Sequence, residues 1–124
     1  MRAFRPLTPP RYAGRVNARD ERLARNQAIF REVNERVASV AQNGLGEPIR
    51  YEFLCECSET DCFERLELTL GEYESVRSKP TWFVIAAGHE FVELEQVVRQ
   101  NDGYQIVQKV GEAGEVVAAS DPRR

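Results

Sequence analysis

Long apolar runs are missing from this sequence, and histidine, methionine and tryptophan each occur only once. No stretch approaches the roughly 20 apolar residues that a membrane-spanning helix requires. The basic N-terminus lacks an apolar core followed by a cleavage site, so we expect no signal peptide and a cytoplasmic protein. In a reducing compartment, three cysteines are more typical of a metal or redox site than of disulfides, and an odd number does not suit a disulfide framework.

The scarcity of histidine also limits the chemistry available to the chain. If the one histidine binds metal, no general base remains for Ser58 or Thr60, and no nucleophile–base pair is visible. Residues 111–114 contain two glycines but lack the strand–helix context and the lysine of a phosphate-binding loop. The sequence therefore favours a protein without enzymatic activity.

Charge is distributed unevenly along the chain. Residues 1–25 contain seven arginines and two acids, whereas the remainder contains ten basic and eighteen acidic residues. Residues 1–16 include three prolines, and we interpret them as a flexible basic arm. This arm is either a solubilising tail, which we favour, or a segment that binds nucleic acid or an acidic partner. An acidic body does not favour phosphate lying across the folded surface.

A long helix is predicted over residues 18–42, with Asn17 as a suitable N-cap. We expect its apolar stripe to pack on the sheet of the same chain. Alternatively, the stripe pairs with a second copy to form a homodimer, with Asn26 setting the register of a short coiled coil. The residues of the stripe recur at helical spacing and are Leu23, Phe30, Val33, Val37 and Val40.

The rest of the chain predicts a small antiparallel sheet with a short helix between strands, giving one α+β domain over residues 17–118. Thr69 and Glu72 form a capping-box pattern that begins the short helix. In the Gly- and Ala-rich segment from residue 111 onward we expect one helical turn, followed by a frayed tail over residues 119–124. The predicted strands alternate, are strongly apolar or flank turn residues, and comprise residues 50–57, 64–70, 82–85, 92–100 and 104–110.

All three cysteines fall at the tip of the first predicted hairpin. Cys55 and Cys57 project from the same side of a strand, and the turn after them returns Cys62 over the pair. His89 lies in a turn-like segment after the apolar strand. Three thiolates and one imidazole are the ligands of a structural Cys₃His zinc site, which would join the hairpin tip to the later loop. We therefore predict a Zn²⁺ site at these four residues.

Other arrangements of the same residues remain open. If His89 does not bind the metal, Asp61, Glu90 or a water molecule could complete the coordination. Without a metal, close thiols could form a reversible disulfide and act as a redox switch. Iron–sulfur ligation is less favoured because only three cysteines are present.

Three segments resemble a family of small uncharacterised bacterial proteins. The family has a Cys-x-Cys-x₄-Cys element, an E-x-[LI]-x-L-T segment and a Gly-His-Glu turn, followed by a Tyr-containing hairpin and an Asp-Pro end. The resemblance covers about residues 20–122 and implies that the cysteines and the histidine act as one unit, but it implies no activity. The segments read FLCEC at residues 53–57, CFERLELT at 62–69 and FVIAAGHE at 83–90.

These observations favour a zinc-stabilised binding or regulatory module that is not an enzyme. Its partner would be a protein, contacted through the helix stripe or the acidic sheet face. A thiol-based redox or zinc-responsive switch is the first alternative, and a nucleic-acid adaptor acting through the arginine-rich arm is the second.

Overall fold

The computed structural model describes residues 18–42, 49–57, 59 and 61–123. The predicted arm over residues 1–16 lies outside these described residues. A long helix precedes a series of strands and short helices, which confirms the α+β class. The elements are α1 (Ala18–Gln42), β1 (Arg50–Leu54), β2 (Arg65–Thr69), α2 (Leu70–Val76), β3 (Trp82–Ile85), β4 (Glu95–Asn101), β5 (Tyr104–Lys109) and α3 (Gly111–Ala119).

The strands form two antiparallel sheets. β1 pairs with β2 as the predicted hairpin, with Phe53 opposite Leu66. The second sheet has the order β3-β5-β4, and β4 and β5 form the second predicted hairpin. Its turn passes through Gly103, whose φ of 86° lies in the left-handed region that glycine adopts without strain. β4 begins later than predicted because residues 91–94 form a turn, closed by a 2.9 Å bond from Leu94 N–H to the Phe91 carbonyl.

The short helix α2 begins as the sequence predicts. The Thr69 hydroxyl accepts a hydrogen bond from the Glu72 N–H at 3.1 Å, and the Glu72 carboxylate accepts one from the Thr69 N–H at 2.8 Å. These reciprocal bonds satisfy two backbone donors that a helix start leaves without partners. The capping box thus places Tyr73 in the core, where its ring stacks on Phe53 with centroids 4.4 Å apart.

α1 has the predicted bounds but buries a different face. Val33 and Val40 of the predicted stripe are 40% and 70% exposed, so this part of the stripe does not pack on the sheet as predicted. Val37 does contact the core, but it remains only partly buried. The fully buried positions are offset from the stripe by roughly a quarter turn. They are mostly polar or small, namely Gln27, Arg31, Asn34, Ala38 and Ala41.

The positive charge of Arg31 on this buried face is compensated by its surroundings. Its guanidinium donates to the carbonyl oxygens of Pro80 and Trp82 and lies 3.7 Å from the centre of the Phe83 ring. Asp121 lies 3.8 Å away. A buried cation needs such acceptors and a counter-charge, and here β3, the segment before it and the C-terminal segment supply them.

The C-terminal segment differs from the expected frayed tail. α3 runs for nine residues, and Asp121 beyond it is buried against Arg77, to which it is paired. Arg123 forms ion pairs with Glu35 of α1 at 2.7 Å and Glu74 of α2 at 2.8 Å. Asp121 and Arg123 therefore hold the C-terminal segment against α1 and α2. A Gly- and Ala-rich composition does not predict such contacts.

Candidate metal centre

Two of the cysteines lie in an extended segment that continues β1. Cys55 and Cys57 are two residues apart, so both side chains project from the same side of the segment, and both are buried. The Cys55 N–H donates to the Glu64 carbonyl at 2.9 Å, which continues the hairpin pairing past β1. The strand alternation read from the sequence is the reason that these two sulfur atoms face one site.

The third cysteine returns to the pair through a turn, as predicted. The Cys62 N–H donates to the carbonyl of Glu59 at 3.1 Å. Cys62 is only partly buried, in contrast to the other two cysteines. The hairpin tip therefore presents two sulfur atoms from inside the protein and one from its surface.

The histidine reaches the same place from the loop after β3. Residues 86–90 turn back through Gly88, whose φ is 85°, and the His89 N–H donates to the Ala86 carbonyl at 3.1 Å. The Ala86 N–H donates to the Cys55 sulfur at 3.1 Å. This contact joins the loop to the hairpin tip, and backbone N–H donors of this kind stabilise thiolate ligands.

The four predicted residues form one cluster. One ligand atom from each of Cys55, Cys57, Cys62 and His89 lies within 4.8 Å of the others. The Nδ1 atom of His89 is 3.5 Å from the Cys62 sulfur and 3.6 Å from the Cys55 sulfur. Standard zinc–sulfur and zinc–nitrogen bond lengths place neighbouring S and N atoms of a tetrahedral site about 3.6 Å apart. The arrangement could hold a metal ion.

The thiols perturb one another strongly. A hydrogen bond from the Cys55 thiol lowers the pKa of Cys57 to about 5, and the same bond, together with burial, raises the pKa of Cys55. Burial raises the pKa of Cys62. One thiolate therefore forms readily in this cluster, but three neighbouring thiolates require a cation to balance their charge.

Sequence reasoning missed the importance of Glu56, which lies between two of the cysteines. The alternation places it on the opposite face of the strand, and that face is covered by α1 rather than by water. Its carboxylate accepts hydrogen bonds from the Asn34 amide at 2.9 Å, the Tyr73 hydroxyl at 2.8 Å and the Val84 N–H at 3.1 Å. The odd placement of an acid between two buried cysteines was the one available signal.

The Glu56 carboxylate also affects the pKa of the neighbouring Tyr73. Burial raises the pKa of Tyr73, and the adjacent Glu56 carboxylate raises it further, so the hydroxyl remains a hydrogen-bond donor. The Glu56 N–H donates to the Val84 carbonyl at 2.7 Å. Residue 56 therefore links the first hairpin, β3 and α2 directly behind the candidate metal centre.

The alternative fourth ligands lie outside the cluster of four. Asp61 is exposed and borders an open cleft with Cys62 and His89, and Glu90 borders a second cleft that the same two residues also line. Neither acid belongs to the group of atoms that converge within 4.8 Å. The geometry therefore favours the imidazole over both carboxylates.

Comparisons with protein-family models, with curated proteins and with solved structures find no significant match to this chain. The resemblance to a bacterial family therefore remains a prediction, and the case for a metal centre depends on the geometry of the four side chains.

Proposed function

We propose that Cys55, Cys57, Cys62 and His89 bind one Zn²⁺ ion in a closed structural site. We further propose that the chain is a non-enzymatic, cytoplasmic binding or regulatory module stabilised by this ion. The observation that carries the proposal is the convergence of four ligand atoms from separate segments, with sulfur–nitrogen distances of 3.5 and 3.6 Å.

The donor set supports zinc in particular. Thiolates and imidazole suit Zn²⁺, whereas Mg²⁺ and Ca²⁺ prefer oxygen ligands. Four protein ligands fill a tetrahedral shell and leave no position for a substrate or a reactive water, which is the pattern of a structural site. An ion here would join the first hairpin to the loop after β3 and so cross-link the two sheets.

Metal content is the direct test. Elemental analysis of untagged protein should give one zinc per chain. Thiol titration should detect three cysteines only after unfolding or chelation, because a bound ion shields its thiolates. Protein without metal, with three freely reactive thiols, would overturn the proposal.

The fourth ligand can be tested separately. His89→Ala should lower zinc affinity, whereas Asp61→Ala and Glu90→Ala should leave it within about twofold of the unaltered protein, since neither carboxylate joins the cluster. Loss of affinity in one of the acid variants together with full affinity in His89→Ala would assign the fourth position to that acid.

A binding role is supported by apolar side chains beside the site. Phe63, next to Cys62, is 72% exposed, and Val92, three residues after His89, is 77% exposed. Both lie on the segments that the ion would tie together, so metal binding would fix their relative positions. A protein partner fits such a surface better than nucleic acid, because the acidic residues Glu59, Asp61 and Glu64 outnumber the neighbouring Arg65.

A redox or zinc-responsive switch is a second candidate, favoured by the partial exposure of Cys62. An oxidant such as hydrogen peroxide would reach this sulfur first. Two thiolates, one peroxide and two protons would give a disulfide and two waters, and the zinc ion would be released. Reversible zinc release under mild peroxide would support the switch, and full retention of metal and fold would exclude it.

A further inference from the structure

We infer that metal occupancy controls the docking of α1 onto the rest of the protein. The inference depends on the proposed zinc site and extends it from a structural staple to a regulator of one helix. The structural basis is a set of contacts from α1 to residues 54–56, which lead directly into the metal ligands.

The docked face of α1 is unusually polar at its centre. Gln27, Arg31 and Asn34 are all buried there, and the apolar residues Val33 and Val40 point elsewhere. Apolar packing tolerates small displacements, but hydrogen bonds lose their strength steeply as distance and angle change. A buried polar group that loses its partner costs more than the bond contributes when it is made. Docking of α1 is therefore sensitive to the position of its acceptors.

The acceptors lie at and beside the first two ligands. The Gln27 amide donates to the Glu56 carbonyl at 2.8 Å. The Asn34 amide donates to the Glu56 carboxylate at 2.9 Å and exchanges two hydrogen bonds with the backbone of Leu54, at 2.7 and 2.8 Å. Residue 56 has a ligand on each side, so its backbone position follows from the positions of Cys55 and Cys57.

Leu54 is the last residue of β1, whereas Glu56, which carries the other acceptors, lies beyond the strand. Residues 55–57 follow the end of β1. Their backbone is held by one bond to Glu64 and one to Val84, and the Glu56 carboxylate adds bonds from Tyr73 and Val84. A metal ion would fix residues 55 and 57 at two points on either side of residue 56. Loss of the ion leaves buried thiols in contact and frees the segment to shift, which misaligns the Glu56 acceptors of Gln27 and Asn34. An undocked single helix is marginally stable in water, so α1 would then fray.

Hydrogen exchange of the full-length, zinc-loaded protein tests this sequence of events. Removal of zinc with a chelator should accelerate amide exchange in α1 by about tenfold or more, while β3, β4 and β5 keep their protection. Re-addition of zinc should restore the slow exchange. Unchanged α1 exchange, or equal loss of protection in α1 and the sheet, would overturn the inference.

Linkage provides a second test that does not involve a metal ligand. If zinc favours the docked helix, then docking must favour zinc by the same factor. Asn34→Ala should therefore weaken zinc affinity by about tenfold, and Gln27→Ala should weaken it too. Alanine has the higher helix propensity, so the effect cannot arise from a poorer helix. Gln42→Ala, an exposed amide of the same helix, is the matched control and should leave the affinity unchanged.

The results separate this inference from the proposed function. Zinc content is measured first in each sample. A protein that holds no zinc refutes the metal site and the inference together. If the protein binds zinc at the cysteine cluster, but the Asn34→Ala and Gln42→Ala variants have equal zinc affinity, the metal site stands. Only the inference that the metal controls α1 is then refuted.

Discussion

The side-chain amide of Asn34 pairs with the backbone of Leu54 much as a neighbouring strand would. The Leu54 N–H donates to the Asn34 Oδ1 at 2.7 Å, and the Asn34 Nδ2 donates to the Leu54 carbonyl at 2.8 Å. Leu54 is the last residue of β1, and among the described residues β1 pairs with β2 alone. The amide therefore satisfies backbone groups that α1 shields from water.

Replacement of Asn34 by aspartate should be strongly destabilising. The change keeps the shape but removes the Nδ2 donor and places a second negative charge beside the buried Glu56 carboxylate. We expect a loss of about 3 kcal/mol in the free energy of unfolding, measured by urea denaturation with saturating zinc. Gln42→Glu makes the same amide-to-acid change at an exposed site of α1 and should cost less than about 0.5 kcal/mol. Equal effects would contradict the importance of the Asn34 contacts.

The local patterns of the sequence predicted most of the fold. Alternation predicted the first hairpin and the turn residues 101–103 predicted the second. The Thr69–Glu72 pair predicted the start of α2, and the apolar run predicted β3 with its observed bounds. The candidate site followed from the same local rules, because Cys55 and Cys57 share a face of an extended segment. His89 was assigned to the site on one further expectation, namely that the few residues suited to metal binding lie close together in the fold.

The buried face of α1 could not be predicted in this way. Helical periodicity assigns polar residues to solvent, and Gln27, Arg31 and Asn34 violate that rule because partners exist for them elsewhere in the chain. Those partners include backbone carbonyls at positions 54, 56, 80 and 82, which no side-chain pattern reveals. The structural role of Glu56 was not predicted either, because its hydrogen-bond partners also lie elsewhere in the chain.

The orientation of α1 leads to a second prediction. Val40→Ser should change the free energy of unfolding by less than about 0.5 kcal/mol, because this side chain is already in water. Ala38→Leu should cost about 1–3 kcal/mol, because Ala38 is buried against the core and the added atoms have no room. Thermal or urea unfolding of both variants gives the comparison. The opposite order would restore the apolar stripe as the packed face.

The Val40 variant also tests self-association. If two copies pair through the exposed residues of the stripe, Val40→Ser should shift a dimer toward monomer in analytical ultracentrifugation. If the unaltered protein and the variant are both monomers, pairing of two copies through Val40 is excluded. The helix pattern alone left that alternative open.

The buried pair of Arg77 and Asp121 predicts an acid-dependent contribution to stability. Burial is the largest single effect on the pKa of Asp121 and raises it, but the hydrogen bonds from Arg77 and the Arg123 N–H, together with the charges of Arg77 and Arg31, outweigh burial and lower the pKa of the carboxyl. A carboxyl with a lowered folded-state pKa stabilises the protein above its unfolded-state pKa, near 3.8, and loses that effect as the pH falls through the folded-state value. Asp121→Asn should therefore cost about 2 kcal/mol at neutral pH, since the buried Arg77 keeps its ion pair with Glu35 but loses the counter-charge of Asp121.

The pH profile distinguishes this ionic effect from lost packing. The stability difference between the two proteins should shrink as the pH falls below about 4, where the unaltered carboxyl also becomes protonated. Comparison at equal pH and equal metal content removes the contribution of acid-induced metal loss. Asp102→Asn, in the exposed β4–β5 turn, should show no such profile. A difference at Asp121 that is constant with pH would mean that its charge does not matter.

Removal of a cysteine ligand should act through the metal alone. Cys55→Ser, Cys57→Ser or Cys62→Ser should each lower zinc content and reduce the thermal midpoint by about 10 °C, equivalent to about 3 kcal/mol, and His89→Ala should do so more mildly. The isosteric serine keeps the packing, so chelator-treated protein provides the control. In chelator the variants and the unaltered chain should unfold at nearly the same temperature. A deficit that persists without metal would show that the cysteines stabilise the fold as buried apolar groups and not as ligands.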